Sequence, residues 1–209
     1  MKVAIVTGAT GGIGKAVVEE LKNKGYFVHE VSRKNCDVTN LDSIKTFMSN
    51  ITNVDVLVNC AGRSHLGYIE DISEDDICSC FDTNALGTMR FCKAVLPIMK
   101  KQKNGYIVNI GSLRGIECCK GKASYSMSKF AVRAFSNTLG LEVKKYGINV
   151  TCINPGFVFT DLIKYRIAEE NLKPEDIIQP SDIAKTVMYL LSLSDGATIS
   201  ELNMGDVWE

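Results

Sequence analysis

Val3-Ala-Ile-Val-Thr-Gly-Ala-Thr-Gly-Gly-Ile-Gly14 runs an apolar strand into a glycine-rich turn and on into an amphipathic helix over 12–24. Gly8, Gly11, Gly12 and Gly14 permit a tight turn and let backbone come close to a pyrophosphate, which sits where a helix N-terminus points its N–H groups outward. Such a turn alone is only a turn. Between a buried strand and an amphipathic helix it reads as a dinucleotide site, with Thr10 and Ile13 in the same loop. The spacing is TGxxxGxG rather than GxGxxG. Beyond this stretch, short apolar runs keep alternating with amphipathic ones, which predicts repeated βα units and a parallel sheet covered on both faces. Strands are expected near 2–7, 26–31, 54–59, 105–111, 147–153 and 198–203, and helices near 12–24, 40–50, 74–102, 123–145, 161–170 and 181–193. Pro97 should kink or shorten the long helix. Ser73-Glu-Asp-Asp76 supplies that helix with an N-cap and acids in its first turn. No linker or repeat divides the chain, so residues 1–209 are expected to form one domain.

The chain has 209 residues, of which 45% are apolar, and Lys plus Arg equal Asp plus Glu at 24 each. Charge balance gives no reason to expect nucleic acid or a membrane surface as partner. The opening residues lead straight into a buried strand, without a charged, apolar and small-residue leader, and no apolar run is long enough to span a bilayer. A cytoplasmic protein is the expectation. Eight cysteines are present, but Cys78-x-Cys80 and Cys118-Cys119 are not paired CxxC knuckles, and the histidines are His29 and His65. No metal site is expected; the thiols should be free and several of them buried.

A second informative stretch runs from the strand end Ile107-Val-Asn-Ile-Gly-Ser112 to Tyr125-Ser-Met-Ser-Lys129. Tyr125 and Lys129, four apart on a helix, share a face. A fixed cation favours the phenolate, pulling a tyrosine pKa down from about 10 toward the range where it exchanges a proton with a substrate oxygen. Ser112 is placed to hydrogen-bond the same oxygen. A Tyr–Lys pair by itself is common surface decoration.

With Thr7-Gly-Ala-Thr-Gly-Gly-Ile-Gly14, Asn59-Cys-Ala-Gly62, Asn84, Ser112, Tyr125-x-x-x-Lys129, Asn154-Pro-Gly156 and Thr160 in order, the chain resembles the classical short-chain dehydrogenases/reductases over nearly its whole length. The resemblance implies a Rossmann-type doubly wound sheet of six to seven strands, and an NAD(P)-dependent oxidoreductase that interconverts a carbonyl and a secondary alcohol. It assigns catalysis to Asn84, Ser112, Tyr125 and Lys129. Tyr125 serves as general acid/base, Lys129 also holds the nicotinamide ribose, and Asn84 carries a relay water. It brings Tyr125, Lys129, Asn59, Ala61 and Gly62 beside the cofactor. Pro155, Gly156, Val158 and Thr160 hold the nicotinamide carboxamide, and Asp37 and Val38 lie at the adenine. Cys60 departs from the family's Asn-Asn-Ala-Gly. A helix and strand usual in the family are almost absent between Lys34 and Asp37, which opens the adenine end.

Ser32 occupies the position where NAD-preferring members carry Asp, and Arg33 and Lys34 follow, so NADP(H) is preferred while NAD(H) remains possible. Residues 157–179 should form a substrate lid, apolar near its start, with Lys164 and Arg166 as its visible cations. His65 is a loop residue near the pocket. Among relatives, 3-oxoacyl-[acyl-carrier-protein] reductase-like members come first as a guide to substrate, followed by reductases of small ketones, sugars or steroid-like alcohols. A homodimer or homotetramer on helices 74–102 and 123–145 is the family expectation. The alternative is a non-catalytic dinucleotide-binding regulator or scaffold of the same fold.

Overall fold

The computed structural model describes residues 1–163, 173–194 and 196–205. Six parallel strands form one sheet: β1 (Val3–Thr7), β2 (Phe27–Val31), β3 (Val56–Asn59), β4 (Gly105–Ile110), β5 (Ile148–Pro155) and β6 (Glu201–Met204). Their order is β2-β1-β3-β4-β5-β6. The helices are α1 (Gly12–Asn23), α2 (Leu41–Met48), α3 (Glu74–Phe81), α4 (Gly87–Gln102), α5 (Ala123–Val143) and α6 (Pro180–Ser192). Side chains alternate across the sheet, as a period of two requires. Ala4, Val6, Val58 and Val108 meet α1 and α6 through Val17, Leu21, Ile183 and Val187. Ile5, Leu57 and Ile107 face the other way and meet Ile44, Phe91, Val95 and Leu139 of α2, α4 and α5. Every residue of β3 and β4 is buried, which is why those strands read as mostly apolar runs. Among the described residues no helix is long and apolar enough to cross a membrane.

Two expected elements differ. The helix read over 74–102 is interrupted at Asp82–Leu86 by one π turn, in which the Gly87 N–H donates to the Asp82 carbonyl. The cause is Asn84, whose side chain is drawn inward to bind the loop after β3. The early end expected at Pro97 does not occur, since α4 runs on to Gln102. Val95 and Met99, fully buried on either side of the proline, hold the turns that flank it. Of the helix expected over 161–170, a single 3-10 turn at Asp161–Ile163 is described, and the rest lies outside the described residues. The shortening after Lys34 leaves β2 at the edge of the sheet, where Phe27 is exposed.

One lateral row of the sheet is polar. Register places Thr7 beside Asn59, Asn59 beside Asn109 and Asn109 beside Cys152. Thr7 Oγ1 donates to Asn59 Oδ1 at 3.5 Å, Asn59 Nδ2 to Asn109 Oδ1 at 2.8 Å, and Asn109 Nδ2 to Ser136 Oγ of α5 at 2.9 Å. Ser136 Oγ in turn donates to the Val132 carbonyl. All four side chains are buried, so each relies on the next for its hydrogen bonds. Replacing Asn109 with Leu takes away the acceptor of the Asn59 amide and the donor to Ser136 Oγ. We expect a loss of about 2–4 kcal/mol, read as a lower urea midpoint with an unchanged m value.

Candidate active site

The loops after β1, β3, β4 and β5 converge at the C-terminal edge of the sheet, beside the point where the strand order reverses between β1 and β3. Gly8 has φ +65°, and a Cβ there would lie 2.7 Å from the Ala61 nitrogen. The Ala61 N–H donates to Thr7 Oγ1 and the Cys60 N–H to the Thr7 carbonyl, which pins the two loops together. A Cβ on Gly14 would sit 2.1 Å from the Gly8 carbonyl oxygen, and one on Gly12 2.6 Å from Thr160 Cγ2. Thr10, Gly11 and Gly12 are exposed. Gly11 caps α1 without a side-chain hydrogen bond, and no acid occupies the first turn. A cradle with no room for side chains, opening on an unshielded helix N-terminus, fits a dinucleotide pyrophosphate.

After β2, Ser32 to Cys36 form a tight turn. Asn35 Oδ1 accepts from the Ser32 N–H at 2.8 Å, and Asn35 Nδ2 donates to the Glu30 carbonyl at 2.7 Å. Asn35 therefore builds the turn that presents Arg33 and Lys34 to solvent. Sequence reading missed its role because asparagine is common in turns of every kind. Asp37 is held below its usual pKa by hydrogen bonds from the Thr39 N–H and hydroxyl, with the charges of Arg33 and Arg63 adding to the effect. Val38 is buried against the start of α4, where a Cβ on Gly87 would come within 2.9 Å of Val38 Cγ2.

The residues expected to act on substrate do meet. Ser112 follows β4, and its Oγ accepts from the Arg114 N–H at 3.1 Å, which leaves its own proton to donate. Tyr125 lies in the first turn of α5. Lys129, one turn on and only 6% exposed, places Nζ 5.7 Å from the centre of the Tyr125 ring and donates to the Ile110 carbonyl at 2.8 Å. Among the described residues no carboxylate pairs with this ammonium. Asn84 Oδ1 accepts from the Arg63 N–H at 2.8 Å, while Nδ2 donates to the Arg63 carbonyl and to Ser128 Oγ, both at 2.9 Å. Ser128 Oγ passes its own proton to the Tyr125 carbonyl at 2.7 Å. Both Asn84 amide protons are thus taken by neighbours, and the side chain clamps the Arg63 loop to the turn that bears Tyr125.

Asn59 belongs to the polar row, and Gly62 lies between Asn84 and Lys129, where a Cβ would be 3.4 Å from Asn84 Oδ1 and 3.9 Å from Lys129 Nζ. Pro155 pairs with Met204 across β6, and the Gly156 N–H donates to the Met204 carbonyl. Val158 bridges to Ile178, so the two ends of the expected lid are pinned together. Ser112, Tyr125, Gly156 and Phe157 line one cleft, with Ser64, Leu66, Leu162 and Ile163 completing much of its wall. Arg114 and Lys122 also line it. Sequence reading missed both, although they fall between Ser112 and Tyr125, and placed the cations at Lys164 and Arg166, which lie outside the described residues. His65 turns from the cleft toward α3, with Nδ1 3.1 Å from Asp76 Oδ1 and Nε2 3.4 Å from Ser79 Oγ.

Residues 29–171 match the model of the family described as short chain dehydrogenase. A curated relative, an uncharacterized oxidoreductase of Staphylococcus aureus, is 31% identical over 229 positions, covering 99% of this chain and 97% of its own. Among solved structures, one described as ElxO with NADP bound has a TM-score of 0.88 at 26% identity, covering 98% of this chain and 97% of its own. A single-substitution variant of actinorhodin polyketide ketoreductase with NADPH also has a TM-score of 0.88, at 29% identity, covering 98% and 96%.

The glycine contacts separate two kinds of obstacle. Gly12→Ala should lower the melting temperature of the cofactor-free protein, and adding Thr160→Ala should recover part of the loss. Gly14→Ala meets backbone, so no side-chain truncation restores it, and differential scanning calorimetry compares the three variants. For the cysteines, burial pushes Cys60 and Cys92 up to about 12 and Cys152 to about 11, while Cys78, Cys118 and Cys119 are exposed. A raised thiol pKa keeps these three groups protonated as pH climbs to ~9. Disulfide reagents should therefore label the exposed cysteines of the folded protein and leave Cys92 and Cys152, both buried, unreactive up to that pH until the protein unfolds.

Proposed function

This chain belongs to the short chain dehydrogenase family, and on that premise we propose that it is an NADP(H)-dependent oxidoreductase in which Tyr125 exchanges the proton between a carbonyl and a secondary alcohol. The observation that carries the reading is the shared cleft, with Ser112 and Tyr125 in its wall and the buried ammonium of Lys129 next to the Tyr125 ring. When bound, the dinucleotide supplies or accepts the hydride. In the direction of reduction, the Ser112 hydroxyl donates to the carbonyl oxygen and Tyr125 gives that oxygen its proton. Lys129 favours the negative charge left on Tyr125, because a buried cation without a carboxylate partner attracts any anion that forms beside it. Asn84 acts by position, holding Tyr125 through Ser128 and the cofactor loop through Arg63. Asn84 would also carry the water that relays protons toward Lys129.

Gly8, Thr10, Gly11, Gly12, Ile13 and Gly14 would hold the pyrophosphate, and Lys129 the ribose next to the nicotinamide. Pro155, Gly156, Val158 and Thr160 would hold the carboxamide. Exposed Arg33 and Lys34, with no acid at Ser32, support preference for the 2′-phosphate. The NADP and NADPH bound to the two similar structures support it as well. Reduction of 3-oxoacyl thioesters is the first substrate assignment carried by resemblance. Residues 157–179 would close over the substrate, and Met89 of α4 with Phe130 of α5, both exposed, suit the helix-to-helix homodimer or homotetramer expected for a cytoplasmic member of the family.

Nicotinamide fluorescence titrations should show NADPH binding more tightly than NADH, and Ser32→Asp should reverse the order. In a carbonyl panel, Tyr125→Phe should reduce kcat by about 10²–10⁴ while NADPH affinity stays within a few-fold. Tight NADPH binding with no turnover by either protein would instead identify a cofactor-binding regulator.

A further inference from the structure

We propose that Arg63 is a second cation for the adenosine 2′-phosphate of NADP(H), set opposite Arg33, so that the loops after two different strands together choose the cofactor. This rests on the dinucleotide site of the proposed reductase and adds a residue that decides which dinucleotide it takes. Arg63 lies in the loop after β3, whose Ala61 abuts the glycine turn at Gly8. On the other side of that turn, the Ala9 N–H donates to the Val31 carbonyl at 3.1 Å, which ties it to the end of β2, where the Arg33 turn begins. The glycine turn is thus flanked by the loop bearing Arg33 and the loop bearing Arg63. Both loops also close on the same stretch of helix. Val38 packs on Gly87 at the start of α4, and Asn84, in the π turn just before it, holds the Arg63 N–H at 2.8 Å and the Arg63 carbonyl at 2.9 Å. Ala61 packs in the same apolar cluster as Cys36 and Val38.

The backbone of Arg63 is therefore fixed, while its guanidinium is not engaged. Half-buried, that side chain makes no hydrogen bond or ion pair with any described residue. A guanidinium has five N–H donors and no acceptor, so it suits an anion. Asp37 does not supply one in contact. Its Oδ1 accepts from the Thr39 N–H and hydroxyl, and it forms no ion pair with either arginine. Those two hydrogen bonds hold Asp37 below its usual pKa, and the charges of Arg33 and Arg63 add to the effect, so both guanidinium groups act on one carboxylate from beyond contact. Glu30 of β2 is paired with Lys22 at 2.6 Å. Arg33, Lys34 and Arg63 set against Asp37 leave two positive charges in excess. A phosphate monoester, with nearly two negative charges, balances them, whereas a hydroxyl does not. The end of the second strand is where a dinucleotide's ribose presents its 2′ position. Arginine's planar fork matches phosphate oxygens, and approach from two loops lets two forks share one phosphate.

The test measures binding alone. NADPH and NADH are titrated by nicotinamide fluorescence, and 2′,5′-ADP and 5′-AMP by calorimetry, on the wild type, Arg63→Gln, Arg63→Lys and Arg33→Gln. For Arg63→Gln we expect a loss of about tenfold or more in affinity for NADPH and 2′,5′-ADP, with NADH and 5′-AMP changed by no more than about twofold. Arg33→Gln should show the same pattern, and Arg63→Lys, which keeps the charge and loses the fork, should fall between Arg63→Gln and the wild type. Added salt should weaken NADPH more than NADH in the wild type, and that difference should shrink in Arg63→Gln. Each variant is judged by the ratio of two ligands, so a general loss of stability does not imitate the result. Arg63→Gln weakening phosphorylated and unphosphorylated ligands alike, Arg63→Gln changing neither, or a wild type that prefers NADH or binds no dinucleotide would overturn the proposal. Selection of NADPH that depends on Arg63, without turnover of any carbonyl, would uphold the paired cations and count against the reductase reading alone. Turnover with NADPH whose affinity is indifferent to Arg63 would do the reverse.

Discussion

The hydrogen-bonded row from Thr7 through Asn59 and Asn109 to Ser136 is the constraint on which the site depends. Parallel strands made largely of Val and Ile have little to distinguish one register from the next, since apolar side chains pack almost as well after a slide of two residues. Buried amides are different, because a slide leaves donors and acceptors without partners, each costing about 1–3 kcal/mol. β1, β3 and β4 are thereby locked to one another at their C-terminal ends. The loops that follow begin within two residues of the row, at Gly8, Cys60 and Gly111. Ser136 extends the lock to α5, so the helix carrying Tyr125 and Lys129 is positioned by the same row that positions the glycine loop. Two turns before Ser136, Lys129 adds its own tie to β4 through the Ile110 carbonyl.

Around this rigid edge the chain accepts two local departures from regular structure, and both aim a side chain. The π turn at Asp82–Leu86 brings Asn84 inside, where it spans the Arg63 backbone and Ser128. Lys129 is the other cost. An ammonium removed from water and met by a carbonyl, without a carboxylate, raises the electrostatic potential at whatever lies beside it. That burial is unfavourable to stability and sets a positive charge next to the Tyr125 ring. The protein thus keeps in its core an ammonium that no carboxylate among the described residues balances, in keeping with functional sites being where local rules are broken.

Much of this was legible in the sequence because the signals were either periodic or geometrically exclusive. Alternation of apolar runs with amphipathic stretches predicted the strands and helices, and the glycine spacing predicted the cradle since no Cβ fits there. Tyr125 and Lys129 were legible through the four-residue spacing. What was not legible depends on contacts far apart in the chain. The inward turn of Asn84 answers to Arg63 and Ser128, which no local window connects with it. Helix α4 survives Pro97 because flanking residues are buried against the sheet. Arg114 and Lys122 looked like ordinary loop charge until the fold placed their turn and helix end around one cleft, and the packing of Val38 against Gly87 joins residues far apart in the chain.

The short connection after Lys34 draws these points together. Without the outer unit, β2 becomes an edge, and the chain turns back within a few residues to Asp37. The turn is held by Asn35 rather than by packing against another strand, which makes the presentation of Arg33 a matter of side-chain hydrogen bonds. Arg63 reaches the same neighbourhood from the loop after β3, close enough for its charge to bear on Asp37. Its backbone is gripped by Asn84, and Asn84 also grips the Tyr125 turn. The loop bearing Arg63 and the turn bearing Tyr125 are therefore joined by one short path, Arg63 to Asn84 to Ser128 to Tyr125, built from hydrogen bonds of 2.7–2.9 Å.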